Sequence, residues 1–153
     1  REARVCYNHL AGAMGTRMFD SMVGHGLLEQ SGEALRLTDA GARAATDVTG
    51  FGLLGHLFKM CRASGVAAEL DFSAIPAIDG VKEALADGFI PGGSRRNLDW
   101  VRPHLQPSSL TEEELVLLAD AQTSGGLLLI GEVPGYPVIG HTTERSGDAY
   151  IKA

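Results

Sequence analysis

Apolar residues Cys6, Leu10, Met14, Met18 and Met22 recur every fourth position, which predicts a helical face over 5–23. Gly12 and Gly15 weaken that helix, so two short helices fit the pattern as well as one. The apolar-bearing stretches 27–30 and 34–38 flank Ser31-Gly32-Glu33 and predict a β-hairpin. Thr38 or Asp39 is then placed to cap a helix over 40–45. Residues 46–52 read as a polar, glycine-bearing loop. They lead into a helix with Leu53, Leu54, Leu57, Phe58 and Cys61 on one face, ended by Gly65.

Beyond it, Val66, Ala68, Leu70 and Phe72 alternate and predict a strand over 66–72. Asp79 is expected to cap a short helix through Leu85, closed by Gly88. Pro91-Gly92-Gly93-Ser94-Arg95-Arg96-Asn97 reads as a turn-forming, locally basic loop. Thr111 and Glu114 have capping-box spacing before a helix carrying Leu115, Leu117 and Leu118. The apolar run 127–133 suits a buried strand, and strands over 138–144 and 149–152 close the chain around Ser146-Gly147-Asp148. Only residues 134–137 separate the first of these strands from the second. Parallel neighbours need a crossover of roughly a dozen residues, so an antiparallel pairing or a displaced tail is forced. Alternating helices and strands predict a layered α+β or α/β domain, without internal repeats.

Composition and charge add further bounds. The chain has 153 residues, 44% hydrophobic and 21% charged, enough for one domain or two very small ones. Its 20 glycines suggest tight turns or close backbone approaches. A net charge of −6 gives no electrostatic reason to expect nucleic acid or an acidic membrane as partner. Cys6 and Cys61 have no metal-ligand spacing and read as reduced core thiols, which suits a cytoplasmic location. The sequence has no apolar run of membrane-spanning length and no signal peptide at its start, while Arg1 in place of methionine leaves a cut or processed start open.

Three segments can carry chemistry. In Thr46-Asp47-Val48-Thr49-Gly50-Phe51-Gly52-Leu53-Leu54-Gly55-His56, a carboxylate between hydroxyl residues precedes a glycine-rich helix entry. Clustered oxygens suit Mg²⁺, although the spacing alone favours Asp47 or Thr49 acting only as a helix cap. His56 is the histidine beside this loop, and nothing in the spacing makes it a general base or a zinc ligand. In residues 91–97, Arg95 and Arg96 can fork onto phosphate, or be solvated or paired with an acid such as Asp99. Asp120-Ala121-Gln122-Thr123-Ser124-Gly125-Gly126 offers glycines to a ligand or to a tight helix-to-strand turn. Phosphate-loop and dinucleotide fingerprints are absent.

The three motifs, in this order, resemble the selenophosphate synthetases (selenide, water dikinases) over about residues 44–133, with a weaker tail over 138–152. The resemblance implies an α+β, PurM-like (AIR synthetase-related) C-terminal domain over 44–153, truncated near its end where the family places a helix before its closing strands. It implies an activity that makes selenophosphate from selenide, ATP and water, releasing AMP and phosphate, in a cytoplasmic enzyme that is usually a homodimer. It also implies Mg²⁺ and ATP as cofactors, with Asp47 joining the metal cluster. The family's reactive cysteine or selenocysteine, its essential lysine and most of its carboxylates belong to an N-terminal domain not represented in this sequence. The isolated chain is therefore expected to be inactive. Residues 1–43 are similar to the C-terminal region of ArsR-like winged-helix regulators, beyond their DNA-reading helix, and are expected to form helices plus the hairpin. The alternative reading is a non-catalytic regulatory or ligand-binding fusion module.

Overall fold

A computed structural model describes residues 20, 23, 24, 26, 28–31, 34–37, 42–123, 125–131 and 135–153. The helix expected over 5–23 lies almost wholly outside the described residues. The hairpin forms as expected: β1 (Leu28–Ser31) pairs antiparallel with β2 (Ala34–Leu37), Leu28 opposite Leu37 and Ser31 opposite Ala34.

The helix expected over 40–45 is replaced by β3 (Ala42–Asp47). This strand pairs antiparallel with β5 (Leu127–Gly131), Asp47 facing Leu127, with a register irregularity between Ala42 and Ala44. Alanine favours helix locally, but pairing with the apolar 127–131 segment satisfies backbone groups that a helical turn would otherwise satisfy internally. Thr46 and Asp47 thus belong to a strand end, and the connection to the next helix is shorter than the loop expected over 46–52.

Helix α1 (Gly52–Ser64) buries Leu54, Leu57, Phe58 and Cys61 on one face. It stops where Gly65 turns left-handed at φ 69°, its N–H reaching the Cys61 carbonyl. Burial pushes the Cys61 thiol up to about 11, so it stays protonated and packs as an apolar group. Strand β4 (Val66–Leu70) ends before Phe72, which sits in a 3₁₀ turn (Phe72–Ala74) capped by Asp71. The Asp71 carboxylate accepts from the Ser73 N–H at 2.9 Å and from its hydroxyl at 2.6 Å. Helix α2 (Val81–Ala86) is preceded by Gly80 in the left-handed region rather than capped by Asp79.

Residues 91–97 do not form the expected loop. Gly92 and Gly93 open helix α3 (Gly92–Val101), with Pro91 just ahead of them. Ser94, Leu98 and Val101 fall on one buried face, and packing outweighs the low helix propensity of the two glycines. A 3₁₀ turn (Arg102–His104) follows. Helix α4 (Glu112–Leu118) begins with the predicted capping box: the Thr111 hydroxyl accepts from the Glu114 N–H at 3.2 Å, and the Glu114 carboxylate accepts from the Thr111 N–H at 2.8 Å.

The closing strands β6 (Gly140–Glu144) and β7 (Ile151–Lys152) flank β4, antiparallel and parallel respectively. Strands β5 and β6 thus lie in different sheets, the displaced arrangement of the two that the short connection allows. The core gathers Leu54, Phe58 and Cys61 of α1, Leu98 and Val101 of α3, Val116 of α4 and Ile151 of β7. Phe58 stacks on His104, ring centroids 4.0 Å apart, and meets Tyr150 edge-on at 5.3 Å. The architecture is α+β. Among the described residues no helix is long and apolar enough to cross a membrane.

Candidate functional site

The end of β3 delivers Asp47 to a short connection that enters α1. The Val48 N–H donates to the Gly126 carbonyl at 2.9 Å, continuing the β3–β5 ladder past the strands themselves. The Thr49 carbonyl then accepts twice at 3.0 Å, from Gly52 N–H in its own turn and from Gln122 N–H across the site. Gly52 has φ 67°, and a Cβ there would lie 2.4 Å from the Ala119 carbonyl carbon. Gly125 is equally confined, since a Cβ would fall 1.8 Å from the Val48 carbonyl oxygen. Both positions need a residue without a side chain, one for conformation and contact, the other for contact alone.

Helix α3 closes the third side. The Asn97 amide donates to the Gly50 carbonyl at 2.8 Å and to the Ala119 carbonyl at 3.0 Å. The Ser94 hydroxyl, fully buried, donates to Asp120 Oδ1, while Gln122 Nε2 reaches Asp120 Oδ2 at 3.2 Å. The structure therefore brings together the three motifs singled out in the sequence.

Asp47 itself is half-buried, and its carboxylate has no hydrogen-bond partner among the described residues. Its electrostatic neighbour is His56, a buried histidine whose Nε2 lies 3.2 Å from the Thr49 hydroxyl oxygen. Desolvation holds the His56 pKa below the ordinary imidazole value; the Asp47 charge pulls it upward and the Lys59 ammonium pushes it further down. The imidazole is thus neutral at pH 7 and able to exchange a hydrogen bond with Thr49.

Arg95 and Arg96 are exposed on the outer face of α3, with no ion pair among the described residues; the Arg96 guanidinium folds back toward Gly92. Among the described residues neither arginine joins the contacts between the three motifs. Sequence reasoning missed Asn97, Ser94 and Asp120 as the groups that join the loops. The recurrence of Ser94, Leu98 and Val101 at helical spacing was the available signal.

Among the described residues no three His, Cys, Asp or Glu side chains are grouped so as to hold a metal ion. Asp47 can supply one oxygen-donor ligand, and the described residues do not complete a Mg²⁺ site around it.

Residues 25–152 match the family described as AIR synthase related protein, C-terminal domain. The match begins inside residues 1–43, the segment expected from the sequence to be regulator-like. The chain is 48% identical over 96 residues to a selenide, water dikinase of Bordetella bronchiseptica, covering 63% of this chain and 27% of that protein. The corresponding enzyme of Photobacterium profundum is 47% identical over 89 residues, 58% of this chain and 25% of the relative. That of Porphyromonas gingivalis is 40% identical over 121 residues, 79% of this chain and 34% of the relative. The chain thus spans about a quarter to a third of the length of these curated relatives. These comparisons give no support to a regulator-derived binding module. A match across most of the chain, with all three motifs gathered at one site, means that this protein belongs to the AIR synthase related family through that family's C-terminal domain.

Proposed function

We propose that the chain is the C-terminal domain of a selenide, water dikinase, and that the complete enzyme makes selenophosphate from selenide, ATP and water. The observation that carries this reading is the convergence of the loops at residues 47–52 and 119–126 on helix α3 through Asn97. Asp47 is the residue assigned to metal binding, as one ligand of Mg²⁺ bound with ATP. When bound, Mg²⁺ would neutralise phosphate charge. Asp47 supplies a carboxylate free of hydrogen bonds among the described residues, and neutral His56 lies within hydrogen-bond distance of the neighbouring Thr49 hydroxyl. A homodimeric, cytoplasmic enzyme belongs to the same proposal.

The isolated chain is proposed to be inactive. Mg²⁺ demands a nearly complete octahedron of oxygen ligands, and one protein carboxylate holds it weakly. The test is selenide-dependent AMP formation by the purified chain, alone and mixed with the remaining portion of one of its relatives. Turnover by the chain alone overturns the proposal of inactivity. Turnover in the mixture that Asp47→Asn leaves intact overturns the assignment of Asp47. The division into a regulator-like segment (1–43) and a dikinase-like domain (44–153) is proposed too. Strand β3 runs across that boundary.

A further inference from the structure

Asn97 lies on α3, 47 positions from Gly50 and 22 from Ala119. A side-chain amide nitrogen carries two hydrogens, and here each is directed to a carbonyl of a different loop. Those loops also bond each other through the Gln122 N–H and the Thr49 carbonyl. Asn97 therefore completes a closed circuit of hydrogen bonds between α3, the connection after β3 and the connection before β5. The base of that circuit is rigid, because Ser94, Leu98 and Val101 anchor the same helix in the interior.

From this geometry we infer that Asn97 is a positioning residue for Asp47. By tying the Gly50 and Ala119 carbonyls to α3, its amide fixes the direction in which the chain leaves β3, and with it the Asp47 carboxylate. The inference rests on the proposed role of Asp47 in metal binding. Bridging two carbonyls calls for a side chain with at least two hydrogens to give, which the Asn97 amide supplies. A carboxylate at position 97 would set oxygen against two carbonyl oxygens, and a serine has one hydrogen to give.

The test uses the 153-residue chain, with Mn²⁺ alone as a paramagnetic probe of an oxygen-ligand site. Amide hydrogen exchange is read at Gly52 and Gln122, and Mn²⁺-induced line broadening at Asp47 and Val48. In the unsubstituted chain Mn²⁺ is expected to broaden these signals, and Asp47→Asn is expected to abolish the effect. Asn97→Asp should raise exchange at Gly52 and Gln122 about tenfold and weaken the Mn²⁺ response about fivefold. Protection at Ala68, inside β4, and at Asp71, just after it, should not change. If Asn97→Asp loses that protection as well, Asn97→Ser, which keeps one donor, replaces it in the same comparison.

Unchanged exchange in the folded variant overturns the inference. Faster exchange with an unchanged Mn²⁺ response also overturns it, since Asn97 would then be a structural brace alone. Broadening at Asp47 that is absent from the unsubstituted chain, or that survives Asp47→Asn, instead removes the metal-binding role of Asp47, and the role given to Asn97 falls with it.

Discussion

Ser94 and Asp120 stand 26 positions apart in the chain, yet the fully buried Ser94 hydroxyl donates directly to the Asp120 carboxylate. The bond links helix α3 to the loop after α4 at the point where a carboxylate would otherwise lose hydration without replacement. Ser94→Ala removes the donor and leaves Asp120 with Gln122 as its remaining side-chain donor among the described residues. The expected loss is about 1–3 kcal/mol, read as a lower urea midpoint at unchanged m-value.

Gly52→Ala is expected to be worse. The substitution demands a left-handed conformation of a residue with a side chain, and the new carbon would overlap the Ala119 carbonyl. A destabilisation of about 2 kcal/mol or more should appear in the same denaturation assay. Gly65→Ala provides the comparison, having a similar φ but open space around the added carbon, so it should cost about 1 kcal/mol.

His56 predicts a pH dependence. Its folded-state pKa lies below its value in the unfolded chain, so on acidification the unfolded state takes up the proton first. The contribution is fully present above about pH 6.5 and is lost as the pH falls through the folded-state value. Stability should therefore decline from pH 7 toward pH 5, and His56→Gln should flatten that part of the profile. Chemical denaturation across the pH series, with an imidazole NMR titration, measures both.

The division of the chain at residues 43 and 44 can be tested by truncation. A chain begun at residue 42 keeps β3 and its pairing with β5 intact, including Ala42 opposite Gly131. If the leading segment is a separate unit, the truncated chain should retain the near-UV circular dichroism and cooperative melting of the parent. Loss of cooperative melting would make the β1–β2 hairpin an integral part of the domain.

Thr111→Ala removes the hydroxyl that caps α4 and should cost about 1 kcal/mol by thermal or chemical melting.

What could be read directly from the sequence was local. Helix α1 with its Gly65 stop, the Thr111–Glu114 box and the β1–β2 hairpin each depend on residues a few positions apart. Two of the segments that depart from expectation, 40–45 and 91–97, do so for one reason. Alanines at 42–45 and glycines at 92–93 carry local preferences that distant packing partners override, β5 in one case and the core beneath α3 in the other. At the candidate site, the sequence drew attention to Asp47 and the two glycine-bearing loops. It could not indicate that Asn97 holds the loops together, because its hydrogen bonds cross 47 and 22 positions.

Strand β4 gains its parallel neighbour late in the chain, with Glu69 and Lys152 meeting across 83 positions. Contacts of such separation form slowly, because a long stretch of chain must first be brought to order. A folding intermediate with α1 and β6 in place but β7 undocked would show β4 with a bare edge, and Phe58 without the edge-on contact of Tyr150. In that kinetic window the protein is most open to pairing with another copy of itself, so dilute refolding should give a higher yield than concentrated refolding.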